Sequence, residues 1–129
     1  VKKDIENIED IKLLVNTFYH RVQQDKIIGP IFNEKLEGRW SEHLEKMYSF
    51  WQTILLEEYT YHGKPFPPHA YLPVSSEHFE RWKVLFNSTV NEFFEGVKAD
   101  EAQWRADRMA AMFLSKIEYF RSSGSRPLT

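Results

Sequence analysis

Apolar residues recur every three or four positions through four stretches of the chain. Ile8, Ile11, Val15, Phe18 and Val22 form the first stripe, with charge on the opposite face, and predict an amphipathic helix. Gly29 and Pro30 end it near "DKIIGP". "IFNEKLEG" then reads as a short turn region carrying the bulky Phe32. A second helix is predicted from about Ser41, a candidate N-cap, to about Glu57. Its apolar row is Trp40, Leu44, Met47, Trp51 and Leu55. The adjoining row of His43, Met47, Phe50 and Ile54 sets one imidazole on an otherwise apolar surface. The third helix runs from Ser75 or Ser76 to near Gly96, with Phe79, Trp82, Phe86, Val90 and Phe93 on its buried face. The last opens at Asp100, with Gln103 three residues on in a capping-box relation, continues through Ala106, Met109, Phe113, Ile117 and Phe120, and closes at Gly124. No alternating apolar run is long enough to argue for a sheet. The expected class is all-α, in one domain spanning residues 1–129, with about 1–7 and 122–129 as flexible termini.

Between the second and third helices lies "EEYTYHGKPFPPHAYLPVSS". Pro65, Pro67, Pro68 and Pro73 forbid a long helix there, and Gly63 adds a break. Phe66, Tyr71 and Leu72 are nevertheless too apolar for a solvated linker. The stretch reads as an ordered irregular segment packed against something, with His69 in its middle.

Composition narrows the picture. With 129 residues, 42% hydrophobic and 28% charged, the chain can bury a core and is not of the disordered kind. Its net charge of −2 comes without any block of like charges, so neither a nucleic-acid footprint nor a polybasic membrane patch is expected. The absence of cysteine excludes disulfides, iron–sulfur clusters and thiolate ligation. No apolar run reaches the length of a membrane span, and the charged start "VKKDIENIED" is not a signal peptide, which points to the cytoplasm. Aromatics make up 16% of the residues, ten of them Phe. That fits an aromatic-rich core, and equally a cavity walled around a large flat ligand.

Conventional catalytic motifs are missing. There is no HExxH pair, no zinc-type His/Cys/Asp spacing, no phosphate-binding glycine loop and no GxSxG elbow. The residues left to carry chemistry are Tyr19, His43, His69 and Trp82, with Phe32 after the Gly-Pro break. Each has an ordinary reading. A loop histidine is usually a surface residue, and a tyrosine or tryptophan on an apolar stripe is usually core with its polar tip paired.

Their order, however, resembles the truncated globins, and most closely the bacterial third group of that family. "FYHRVQQDKIIGPIFN" is similar to the stretch joining the family's Phe-Tyr pair to its haem-stacking phenylalanine. "RWSEHLEKMYSFW" resembles the distal helix, "PPHAYLPV" the loop carrying the proximal histidine, and "HFERWKVLF" the helix supplying a distal tryptophan. The likeness runs from about Ile8 to about Phe120, and the chain lacks the Gly-Gly pairs typical of the other groups. The Pro-dense lead-in to His69 departs from the pattern and leaves the placement of that loop open.

The resemblance implies a two-over-two helical sandwich holding haem b. His69 would be the proximal iron ligand. Tyr19, His43 and Trp82 would face the distal ligand, and Phe18, Phe32, Lys46, Met47, Phe50 and Leu72 would contribute to the haem pocket, Lys46 toward a propionate. The implied partners are diatomic gases (O2, CO, NO) and an external reductase. Three distal donors would hold oxygen too firmly for delivery, which favours redox handling of oxygen, peroxide or nitric oxide over transport. A peroxidase-like or nitric-oxide-detoxifying activity stays open, as does a cofactor-free helical interaction module whose aromatics are simply core. One small domain with mixed surface charge suggests a monomer.

Overall fold

Helix formation follows the apolar periodicity over most of the chain. The computed structural model describes residues 1–70 and 72–123, in which five α-helices appear: α1 (Ile8–Gln24), α2 (Gly29–Lys35), α3 (Trp40–Leu56), α4 (Ser76–Phe93) and α5 (Val97–Ser123). A single 3₁₀ turn, Pro67–His69, interrupts the segment between α3 and α4. α1 packs on α3 and α4, α4 on α5, and α5 reaches α3, which builds the two-over-two sandwich. The all-α expectation holds; among the described residues the one β-type contact is an isolated bridge between Lys3 and Phe94.

The departures from the sequence reading lie at the ends of helices. "IFNEKLEG" is mostly the two-turn helix α2 rather than a turn, because Pro30 sits in the first turn, where its missing N–H costs nothing. α1 already ends at Gln24, with Asp25 as its C-cap, and Gly29 opens the next helix. A Cβ there would lie 2.9 Å from the Val22 carbonyl oxygen, so only glycine lets α2 begin so close to α1. Ser41 is not the N-cap of α3; that position is Arg39, without a side-chain cap bond. Glu57 ends α3 in the left-handed region, at φ 57°. Ser75 does cap α4, in a capping box completed by His78.

α5 starts at Val97, three residues before Asp100. Its cap comes from the far end of the chain: the Asp4 carboxylate accepts from the backbone N–H groups of Lys98 and Ala99, at 2.9 Å each. Gly96 makes room for this, with φ at 141° and a position where a Cβ would lie 2.6 Å from Asp4 Cγ. Gln103 serves no capping box; its amide bonds Asn91 on α4 instead. Within residues 1–7, expected to be flexible, Lys3, Asp4 and Ile5 thus make specific contacts. Ile5 is 2% exposed within the core, and the Lys3 carbonyl accepts from Glu95 N–H. Gly124, the expected end of α5, and the rest of the tail lie outside the described residues.

The buried side chains fall into two groups. The larger holds Phe18, Tyr19, Phe50, Trp51, Leu55, Phe86 and Val90, together with Ala99, Ala102 and Ala106 of α5. These alanines let α5 approach its neighbours closely. The smaller group holds Phe66, Ala70, Val74, Phe113 and Ile117. Met109 packs against both, and the adjacent α2 residues Phe32 and Ile31 divide between them. The boundary between the groups is where the candidate chemistry collects.

Candidate functional site

Tyr19 and His43 are brought together by the packing of α1 on α3. Their rings meet edge-on at 4.9 Å, with Phe32 of α2 at 6.2 Å from Tyr19 and Trp40 at 6.0 Å. Trp82 of α4 joins through Phe18, whose ring lies 5.6 Å from the indole and 4.8 Å from Tyr19. Three elements thus deliver three polar-tipped rings to one apolar neighbourhood. Burial pushes the Tyr19 phenol well above its ordinary range, so it stays protonated and available as a donor.

A single carboxylate fixes this neighbourhood from behind. Asp25 accepts from the N–H groups of Ile27 and Ile28, at 3.0 and 3.1 Å, and from Arg81 Nε at 2.7 Å. The α1–α2 corner, which aims Phe32, is thereby tied to the residue preceding Trp82. Asp25 side-chain exposure is only 6%, so this ion pair is more shielded than a surface pair of the ordinary kind.

His43 is the residue with an unmet need. Its Nε2 is buried and has no hydrogen-bond partner among the described residues. Loss of water around the ring pushes its pKa down to about 4, with the nearby His69 and then Lys46 acting in the same direction. The imidazole is therefore neutral near pH 7, with one nitrogen unsatisfied. Such an atom costs stability and is expected where a ligand completes the site.

His69 lies against the second group. It closes the 3₁₀ turn Pro67–His69, and its ring packs 4.7 Å from Phe113 of α5. Its Nδ1 lies 2.7 Å from the Pro65 carbonyl oxygen. A carbonyl only accepts, so Nδ1 carries the proton and Nε2 keeps its lone pair. Burial lowers the pKa of this ring; the Pro65 bond opposes the shift and Lys35 adds to it. His69 is thus a neutral imidazole with a fixed tautomer, the form in which histidine binds metals.

The other expected pocket residues divide. Phe18 and Phe50 are buried in the larger group, and Met47 and Phe32 pack on its edge. Leu72 packs on the smaller group, beside His69. Lys46 is exposed and pairs with Glu42 at 3.2 Å. Sequence reading missed Pro65, Phe113, Trp40 and the Asp25–Arg81 pair as parts of this site. Pro65 acts through its backbone oxygen, which leaves no side-chain signal. Phe113 and Trp40 were visible only as members of apolar stripes.

The arrangement fits a large flat cofactor carrying its own metal. It offers one neutral donor nitrogen, apolar walls split into two groups, and a cluster of polar tips that includes an unpartnered atom. The profile of the bacterial-like globin family matches residues 4–115. A group 3 truncated haemoglobin of Campylobacter jejuni is 35% identical over 115 residues, covering 86% of this chain and 91% of the relative. The crystal structure of group III truncated haemoglobin from Campylobacter jejuni superposes with a TM-score of 0.82 at 34% identity, over 91% of this chain and 95% of that one. The chain therefore belongs to the bacterial-like globins, as a group III truncated globin.

Proposed function

We propose that this globin holds haem b between its two apolar groups and handles diatomic ligands and peroxide by redox chemistry rather than carrying oxygen. The observation that carries this reading is His69. Its Nδ1 proton is committed to the Pro65 carbonyl, which leaves Nε2 free to bind iron. A macrocycle bringing its own four nitrogens needs only one such protein donor. Haem, when bound, would supply a redox-active iron with one open position for a ligand such as O2, CO or NO.

The chain's residues do the rest. Phe32, Met47, Phe50, Phe18 and Leu72 exclude water from the ring faces, and Lys46, once released from Glu42, is the candidate partner for a propionate. The Tyr19 hydroxyl and the Trp82 indole N–H donate to the ligand atom that carries partial negative charge. His43 either adds a third bond or accepts a proton from peroxide at Nε2, for which its neutral state suits it. Donors of this number slow ligand release, which is why retention and reaction are favoured over delivery. No helix among the described residues is long and apolar enough to cross a membrane. We place the protein in the cytoplasm as a monomer served by an external reductase.

The test is an ultraviolet–visible spectrum after haem addition, for the wild type and His69→Ala. A sharp Soret band that shifts with carbon monoxide after reduction, and is lost or altered in the variant, supports the assignment. A wild-type spectrum no different from free haem overturns it.

A further inference from the structure

The core aromatics are arranged in a line. Trp82 stacks on Phe86 at 5.5 Å between centroids and 7° between planes, and Phe86 stacks on Trp51 at 5.1 Å and 20°. Phe50 meets Trp51 edge-on at 5.3 Å, and Tyr61 meets Phe50 edge-on at 5.3 Å. Tyr19 joins the same line through Phe18, which lies 5.2 Å from Phe86. The run starts at the candidate pocket, crosses the larger core group, and ends in the loop between α3 and the 3₁₀ turn.

That end is open. Tyr61 is half-buried, and Tyr59, Thr60, His62, Gly63 and Lys64 around it are exposed. Gly63 abuts the phenol: a Cβ there would lie 2.7 Å from Tyr61 Oη, so the missing side chain leaves space beside the hydroxyl. Indole and phenol rings give up an electron far more readily than a phenyl ring. Electron tunnelling falls exponentially with distance, so a long path is faster when divided by sites that can hold the charge. Trp82, Trp51 and Tyr61 are such sites, each separated from the next by one phenylalanine.

We propose that Trp82, Trp51 and Tyr61 form an electron-entry path, along which small phenolic reductants at Tyr61 supply electrons singly to a peroxide in the pocket. This rests on the haem reading above. The balance is H2O2 + 2 ArOH → 2 H2O + 2 ArO•. The peroxide O–O bond breaks, and the two oxygens take up two electrons and two protons. Each phenol loses one electron through the path and its phenolic proton to solvent. Tyr61 passes its own electron inward, releases its proton to water, and is restored by the donor.

The experiment treats haem-loaded ferric protein with hydrogen peroxide and a spin trap, maps the adducts by peptide mass spectrometry, and measures guaiacol oxidation alongside. The expected wild-type adduct is on Tyr61. Tyr61→Phe removes it and lowers the guaiacol rate by about tenfold or more, equivalent to about 1.4 kcal/mol of barrier. Trp51→Phe does the same with an unchanged Soret band, whereas Tyr59→Phe alters neither readout although Tyr59 is 74% exposed. Adducts concentrated on Tyr59 or Tyr119, or a guaiacol rate untouched by Tyr61→Phe, overturn the path while the haem reading stands. A wild type without a haem spectrum overturns both. Tyr61→Phe carries the test alone if the buried Trp51 variant fails to fold.

Discussion

His43 is expected to make the haem-free protein less stable, and increasingly so in mild acid. Its imidazole has an ordinary pKa of 6.5 in the unfolded chain and about 4 in the fold, chiefly because burial strips water from the charged form. The unfolded state therefore binds the proton more readily. Stability from this group is intact above pH 6.5 and declines as pH falls toward 4. Integrating between pH 7 and pH 5, the loss is about 2 kcal/mol at most, a large share of a typical folding free energy of about 5–15 kcal/mol. A second effect is present even at neutral pH. The buried Nε2 has no partner among the described residues, and replacing the ring by an apolar group of similar size removes a penalty of about 1–3 kcal/mol. His43→Leu should thus stabilise the haem-free protein at pH 7, and its advantage should grow by about 2 kcal/mol at pH 5. The assay is urea unfolding followed by circular dichroism at both values. His69, whose pKa is also lowered by burial, is present in both proteins. Equal midpoints at pH 7, together with equal losses at pH 5, would refute the reasoning.

Tyr19→Phe and Trp82→Phe should each speed dissociation of oxygen from the reduced holoprotein roughly 10- to 150-fold, the worth of one hydrogen bond to a partly charged group of about 1.5–3 kcal/mol; stopped-flow displacement by carbon monoxide measures it. Asp4→Ala should cost about 1–2 kcal/mol in urea unfolding, because the Lys98 and Ala99 N–H groups at the start of α5 lose their acceptor. Phe86→Ala should cost about 3–5 kcal/mol, since Phe86 is buried and in ring contact with Phe18, Trp51 and Trp82.

The helices were readable where an apolar stripe alone decides them, and misread where a distant group does. Ile8 to Val22 and Phe79 to Phe93 repeat at helical spacing, and α1 and α4 follow them. α5 begins before Asp100 because its cap is Asp4, some ninety positions away, and no local pattern near Val97 announces it. α2 is illegible for a different reason. Its Gly-Pro pair is both a stop signal for α1 and an acceptable first turn for a new helix, and the local sequence carries both meanings.

The candidate site shows the same division at the level of chemistry. Helical spacing places His43 on an apolar surface, and the structure adds what spacing cannot contain: one nitrogen sealed from water without a partner among the described residues. For His69 the decisive contact is with the backbone oxygen of Pro65, four residues earlier, at the entry to the 3₁₀ turn. The first of these does not help the haem-free fold: an apolar residue at 43 would pack without penalty, whereas the His69 ring at least satisfies the Pro65 carbonyl. Residues that weaken a core in this way are retained when a ligand uses them, so His43→Leu should trade gained stability for a lost contact to the bound ligand.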